Sequence, residues 1–150
     1  MIGSLNNISN AELAQFRQLN EAAFAQWAAK NCTAEDLAAM RECLESSAKH
    51  FCDALVFFEY DLRFHEGIFQ ATHNGIAVII GKLLHGLMNK SLIKEYAGQS
   101  AQESQALCRE IYSYHKKIFE AIEAHNEAEA EMWMRKHIMR FQEEMVPHEE

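Results

Sequence analysis

The sequence is poor in residues that make tight turns and in long apolar runs. One proline and six glycines among 150 residues leave little material for the many turns of a β-sandwich. The longest apolar stretch, residues 76–80, is far too short to span a bilayer. The first residues show no basic segment followed by an apolar run, so we expect no signal peptide and no membrane association.

Cysteines and basic residues are also few. The four cysteines form no C-x-x-C pair, which is typical of reduced thiols in a cytoplasmic protein. The 14 basic residues are outnumbered by 22 acidic ones, and a net charge of −8 makes the chain by itself a poor binder of phosphate backbones. With 49% hydrophobic and 24% charged residues, the composition predicts one globular domain in the cytoplasm.

Signals for helix starts recur along the chain. Ser9 with Glu12 and Ser100 with Glu103 make capping-box patterns, in which each side chain bonds the other residue's backbone N–H. Apolar residues at helical spacing follow each signal, and no segment reads as a run of strands. The predicted helices start after Ser9, Thr33, Asp53, Asn74, Ser100 and Asn126. Because the connections are short, we predict an all-α antiparallel bundle of six helices, or of seven if residues 46–51 break.

Apolar stripes mark the faces that we expect to be buried. On the first helix the stripe includes Phe16, Phe24 and Trp27. On the fourth helix it comprises Ile76, Ile80, Leu83, Leu84 and Leu87. We predict that residues 12–146 form the domain, between a linker or disordered segment at 1–11 and a tail at 147–150.

Four polar residues interrupt such stripes. Asp61 and His65 lie four residues apart on the core face of the third helix, so both point the same way. His115 lies within the apolar stripe of the fifth helix, and His137 lies between Met134 and Phe141 on the sixth. Each residue alone is more simply a hydrogen-bonded core residue, and Asp61 with His65 fits an ordinary hydrogen bond between successive turns.

The spacing around the last turn brings two of these residues together. Asn126 follows His115 by 11 residues and precedes His137 by 11 residues. In an antiparallel hairpin both histidines then lie about 16 Å from the turn, at about 1.5 Å per residue. With Asp61 and His65 at the same level, three imidazoles and a carboxylate surround one point. A divalent cation would satisfy these buried groups, and the donor set suits Zn²⁺ best, with Ni²⁺, Mn²⁺, Co²⁺ or Fe²⁺ as alternatives.

Other chemistry is weakly represented. The sequence has no H-E-x-x-H motif, no glycine-rich phosphate loop and no G-x-S-x-G motif. Three functions stay open from the residues: a ligand sensor without turnover, a metallohydrolase that activates water at the metal, and a metal-free module whose helical surface binds a partner.

Several motifs resemble one family. Residues 60–65, YDLRFH, followed by Asn74, resemble the D-x-x-F-H…N segment of the FCD domain. That domain is the effector-binding C-terminal part of FadR-subfamily GntR transcriptional regulators. The segments 115–122 and 134–138 resemble its H-x-x-I…A-I and M-x-x-H-L motifs, and Arg17 with Glu21 resembles its R-x-x-L-E opening. The resemblance covers about residues 12–142.

The resemblance implies a helical bundle that holds a metal through Asp61, His65, His115 and His137. It also implies a small carboxylate metabolite as effector, a homodimer, and operator DNA bound only through a winged-helix domain that this chain lacks. An enzyme is not expected. Two positions depart from the family's pattern. Asn20 stands where the R-x-x-L-E motif has leucine, and residues 73–75, HNG, stand where the family commonly has Gly-Asn-Pro. Because both changes would alter the shape of the ligand pocket, the effector's identity is left open.

Two residues are candidates for contacting the effector. Arg17 offers a guanidinium fork to its carboxylate, with a salt bridge to Glu21 as the alternative role. Asn74 offers a hydrogen bond to the effector or to water, with helix capping as the alternative role.

Overall fold

Six α-helices make up the described part of the chain, and no strand occurs there. The structure is a computed structural model that describes residues 7–96 and 99–145, and the side chains of residues 7–88 and 99–140. The helices are α1 (Asn10–Asn31), α2 (Ala34–Ser47), α3 (Ala54–Ala71), α4 (Gly75–Tyr96), α5 (Ala101–Glu123) and α6 (Glu127–Met145). The predicted all-α bundle is confirmed. The break at residues 48–53 separates α2 from α3 and contains no seventh helix.

Local side chains start the helices where the sequence predicts. Capping boxes open three helices, through Ser9–Glu12 at α1, Thr33–Asp36 at α2 and Ser100–Glu103 at α5. The carboxylate of Asp53 and the amide oxygens of Asn74 and Asn126 accept N–H bonds from the first turns of α3, α4 and α6. These acceptors satisfy backbone donors that would otherwise have no partner inside the helix.

The turn between α5 and α6 is fixed by its own backbone and by α1. His125 adopts the left-handed conformation, with φ of 53°, and Asn126 N donates to Ala121 O over 2.9 Å. The His125 ring lies on α1, where Nδ1–H donates to Ala29 O at 2.7 Å. This anchoring sets the register of the hairpin and therefore the relative depth of side chains on its two arms.

The main core is where α1, α2, α3, α5 and α6 meet. From α1 it receives only small side chains, Ala25, Ala28 and Ala29, while the other helices supply larger ones. The larger residues include Met40, Phe64, Ile68, Ile118, Ile122, Met134 and Ile138. Because alanine takes little space, α1 lies close against its neighbours, and α6 and α3 are among its main packing partners.

Two of the predicted buried stripes are partly wrong. On α1, Phe16 and Trp27 are 46% and 41% exposed, since the face that enters the core carries the alanines instead. On α4, Leu84 is buried but Ile76 and Leu83 are exposed. The reason is that α4 packs mainly on α3 and α1, and among its described side chains Ile76, Ile79 and Leu83 face away from both helices.

Some predictions fall outside the described residues. These are the tail at 147–150, most of the linker at 1–11 and the side chain of Phe141, so the proposed domain division stays a prediction. Within the described ranges no helix has the length and apolar content needed to cross a membrane. All four cysteines are free thiols, of which Cys108 is buried.

Gly81 permits the close approach of α4 to α3. A Cβ atom placed there would lie 2.0 Å from Cδ2 of Phe69, which is itself buried. We expect Gly81→Ala to lower the free energy of unfolding by about 1–3 kcal/mol, as overpacked core substitutions do. Urea unfolding followed by circular dichroism would measure it.

Gly86 is the matched control on the same helix, because a Cβ there meets nothing within 4 Å. Gly86→Ala should leave stability unchanged or raise it by about 0.5–1 kcal/mol through helix propensity. Equal effects of the two substitutions would contradict the tight α3–α4 contact.

Candidate metal centre

Four buried donor side chains converge in the middle of the bundle. They are Asp61 and His65 from α3, His115 from α5 and His137 from α6, and none is more than 5% exposed. The Nε2 atom of His115 lies 3.2 Å from that of His65 and 3.1 Å from that of His137, and the remaining Nε2 pair is 3.3 Å apart. Asp61 Oδ1 lies 3.3 Å from His115 Nε2. All four donor atoms therefore lie within 4.8 Å of one another.

The helix positions explain this convergence. Asp61 and His65 are one turn apart on the buried face of α3. On α5, His115 belongs to the same buried face as Ile111 and Ile118. The equal depth predicted for His115 and His137 is confirmed by their 3.1 Å separation. The three helices thus bring together all four residues that the sequence singled out.

Three nitrogen atoms in such a triangle cannot be satisfied by hydrogen bonds alone. In a neutral imidazole each ring nitrogen carries either a proton or a lone pair. Among three Nε2 atoms at least two must therefore be alike, and that pair places donor against donor or acceptor against acceptor. Such a buried contact costs free energy unless another group relieves it.

A cation accommodates the triangle directly. Metal–imidazole bonds of about 2.0–2.1 Å at tetrahedral to octahedral angles hold nitrogen atoms roughly 2.9–3.4 Å apart. The three Nε2 separations of 3.1–3.3 Å fall within that range. The donor set of three imidazoles and a carboxylate is also one that Zn²⁺ and its neighbours accept. The residues present therefore fit a divalent transition metal.

Burial sets the protonation of the histidines. It lowers the pKa of His115 and of His137 well below the usual value, and the neighbouring His65 ring and Arg17 guanidinium lower both further. Phe64 adds to the apolar surroundings, since its ring stacks on His115 with centroids 4.7 Å apart. Both rings are therefore neutral near pH 7, as metal ligation requires.

Asp61 responds to burial in the opposite sense. Burial raises the pKa of this carboxyl, while the neighbouring His65 ring and Arg17 guanidinium act to lower it. A carboxylate in this position is costly without a cation beside it.

Glu21 is a functional candidate that the sequence analysis named as part of the R-x-x-L-E motif and as a salt-bridge partner of Arg17, without a role at the metal. It is fully buried on α1, and its Oε2 lies 2.6 Å from Nδ1 of His65. Its other oxygen, Oε1, accepts from Nε of Arg17, also at 2.6 Å. Burial by itself would raise the pKa of Glu21, but the Arg17 guanidinium and the His65 ring outweigh it and lower the pKa to about 2. The carboxylate is thus ionised and acts only as an acceptor.

The two predicted effector contacts have different surroundings. Arg17 forms the predicted salt bridge to Glu21, is only 8% exposed, and its charge reaches Asp61, His115 and His137. Asn74 is exposed, and its Oδ1 accepts N–H bonds from Ile76 at 2.9 Å and Ala77 at 3.2 Å. This geometry favours the capping role of Asn74.

Asn74 is also remote from Arg17. The side chain of Asn31, at the far end of α1, donates to Thr72 O, two residues before Asn74. Arg17 precedes Asn31 by 14 residues, which is about 21 Å of helix. Arg17 and Asn74 therefore lie near different levels of α1, and an effector contact by Asn74 stays a prediction.

Comparison with known proteins now identifies the class. The family model of the FCD domain matches residues 12–140. The chain belongs to the FCD domain family, and its fold is the FCD fold of FadR-like GntR regulators.

Particular relatives agree with that assignment. The chain is 30% identical over 110 residues to the galactonate operon transcriptional repressor of Escherichia coli (strain K12), an alignment that covers 73% of this chain and 46% of the repressor. The solved structure of E. coli McbR/YncC has a TM-score of 0.77 at 18% identity, covering 89% of this chain and 62% of that one. Streptococcus agalactiae GntR has a TM-score of 0.71 at 19% identity, covering 93% and 63%. The chain thus spans less than half of the repressor and under two thirds of each solved chain.

Proposed function

We propose that this chain is the effector-sensing domain of a transcriptional regulator, and that it binds a small organic or sugar acid at a metal held by Asp61, His65, His115 and His137. The observation that carries the proposal is the triangle of Nε2 atoms, which a cation satisfies and protons do not. Zn²⁺ is the metal we propose first, because three imidazoles and a carboxylate are among its ordinary ligands. The central ligand cavity predicted from the sequence is part of this proposal.

The effector is proposed to be an acid because of the positive charge near the donors. A bound cation would supply a positive charge and open coordination positions for a carboxylate. Arg17 supplies a second positive charge, and only its Nε is engaged by Glu21 in the ion pair. The guanidinium keeps further N–H donors for an effector carboxylate. The name of the E. coli relative, a galactonate operon repressor, makes a sugar acid the first ligand to try.

Sensing rather than turnover is favoured by the carboxylates around the cluster. A hydrolase would need a general base beside the metal-bound water. Among the described side chains, the carboxylate in contact with the cluster besides Asp61 is Glu21, and both of its oxygens already accept hydrogen bonds. We therefore propose a non-enzymatic regulator in the cytoplasm, acting on operator DNA through a separate winged-helix domain.

A homodimer is also part of the proposal. Ile76, Ile79 and Leu83 form an exposed apolar stripe on α4, and the first two are each 66% exposed. Trp27 of α1 is also exposed, and it packs on Phe24, which contacts α4. Identical stripes from two copies can cover each other about a two-fold axis. We propose a second copy of this chain as the occupant, because FCD domains pair with one another in FadR-like regulators.

Zinc should stabilise the folded domain. At a free Zn²⁺ concentration about 100 times the Kd, linkage adds about 2.7 kcal/mol. For a domain of this size that raises Tm by roughly 5–10 °C. The measurement is calorimetry of chelator-treated protein with and without Zn²⁺.

His137→Gln should lose most of this zinc-induced shift, because a weak ligand replaces an imidazole of similar size. The matched control is His50→Ala, which removes a ring that stacks on Tyr60. The control should keep the full shift. No zinc-induced change in the wild-type protein would refute the metal site.

Arg17→Lys should weaken sugar-acid binding while zinc binding persists. Lysine keeps the charge but loses the planar fork, so we expect the Kd of galactonate for zinc-loaded protein to rise about 10–100-fold. Isothermal titration calorimetry would measure it, with galactose as the ligand that lacks a carboxylate.

The control is Arg135→Lys. Arg135 forms an ion pair with Glu131 across one turn of α6, like that of Arg17 with Glu21, but is partly exposed. Its substitution should leave the Kd unchanged. Binding of galactose as tight as that of galactonate would argue against carboxylate recognition.

Ile79→Glu should dissociate the proposed dimer. A charge in the middle of the α4 stripe would be buried unpaired on association, so the variant should be monomeric where the wild type is dimeric. Sedimentation velocity across a concentration series measures this.

Met132→Glu serves as the control, because Met132 is an exposed apolar residue on α6, which packs on α1 and α5. It should leave the dimer intact. A wild-type chain that stays monomeric at high concentration would overturn the assignment of this surface.

A further inference from the structure

We infer that Glu21 is a positioning residue, whose carboxylate keeps the ring proton of His65 on Nδ1 and so presents the Nε2 lone pair to the metal. The same carboxylate holds Arg17, which connects the proposed effector-binding group to a metal ligand. The inference rests on the proposed metal site and adds a fifth residue to it.

The hydrogen-bond geometry fixes the direction of each bond. Glu21 is fully buried between two partners, Arg17 Nε and His65 Nδ1, both 2.6 Å away. The guanidinium can only donate, and the carboxylate that pairs with it can only accept. The bond to His65 therefore requires the proton on Nδ1. In the neutral ring Nε2 then carries the lone pair, and Nε2 is the atom that faces His115 and His137.

The arrangement matches a general feature of metal-bound histidine. The ring nitrogen that does not bind the metal usually donates to a carboxylate or a carbonyl, which fixes the tautomer and orientation and makes the ligand more basic. Here the carboxylate comes from α1, and it lies 44 residues away from His65 in the sequence. The helix that supplies Arg17 thus also supports the metal ligand on α3.

Glu21→Gln is the most informative substitution because it keeps the shape and removes one acceptor. The amide has one oxygen and one NH₂ group, while both neighbours are donors. If the oxygen accepts from Arg17, the NH₂ group faces Nδ1 and favours the proton on Nε2, where it competes with the metal. If the oxygen accepts from His65, the NH₂ group meets the Nε–H of Arg17 and displaces the guanidinium.

We expect Glu21→Gln to weaken Zn²⁺ binding about 10–100-fold, as loss of such supporting partners typically does. Competition with a chelator of known affinity would measure the Kd. Glu21→Asp retains two acceptor oxygens and should recover part of the loss. The matched control is Glu131→Gln, which breaks the corresponding ion pair to Arg135 on the surface of α6 and should leave the Kd unchanged.

A direct readout of the tautomer separates positioning from a merely structural role. In zinc-loaded wild-type protein with ¹⁵N-labelled histidine, NMR should show a proton on Nδ1 of His65 that exchanges slowly with water, and this signal should be lost or shifted in Glu21→Gln. This wild-type measurement holds even if the variants fold poorly.

The outcomes also separate this inference from the function on which it rests. A wild-type protein that binds no Zn²⁺ would overturn the metal site itself. Tight zinc binding with an unchanged Kd in Glu21→Gln, or a His65 ring without a proton on Nδ1, would overturn the role of Glu21 alone. A lower Tm in Glu21→Gln with unchanged zinc affinity would likewise reduce Glu21 to a structural residue.

Discussion

The proposed function depends on the meeting of three imidazoles at the centre of the bundle. Their Nε2 atoms lie 3.1–3.3 Å apart, a geometry that no distribution of protons can fully satisfy. The surrounding structure nevertheless keeps the rings in place, because each ring lies on the buried face of a different helix and the α5–α6 turn holds two of them at one depth. Because the three rings are already in place and cannot satisfy one another by hydrogen bonds, the metal that we propose would bind with little reorganisation of the site.

Helix α1 combines two roles that usually conflict. Its alanines let it lie close against the core, while Arg17 and Glu21 extend charged groups into the same interior. A buried ion pair gains little stability by itself, because desolvation offsets much of the attraction. The Arg17–Glu21 ion pair lies next to His65, and the role that we infer for it there is to orient the His65 ring, which apolar packing would not do. The close approach made possible by the alanines allows the carboxylate of Glu21 to reach His65 on α3.

The sequence predicted well both the helices and the convergence of Asp61, His65, His115 and His137, because these predictions rest on spacing within one helix or across a single turn. Caps act within four residues, and His115 and His137 are related through a single turn. The contact between Glu21 and His65 joins distant segments, and an Arg–Glu pair one turn apart resembles an ordinary surface pair. The sequence contained one signal that this pair is buried. Arg17 and Glu21 lie on the same face of α1 as the small residues Ala14, Ala25 and Ala28. The periodicity of α4 also predicted an apolar face, but it could not tell which of these residues would pack on other helices of the same chain and which would stay exposed.

The two hydrogen bonds that connect Arg17 to Glu21 and Glu21 to His65 have a consequence for regulation. If an effector draws the guanidinium of Arg17 toward its carboxylate, the hydrogen bond that orients Glu21 changes, and with it the support of a metal ligand. Linkage requires the reverse as well, so metal binding must alter effector affinity by the same factor. The bistable element would be α1, because it contacts both α3 and α6 and carries both charged residues. A shift of α1 against α6 is then the motion by which occupancy of the centre would reach the separate DNA-binding domain that we propose.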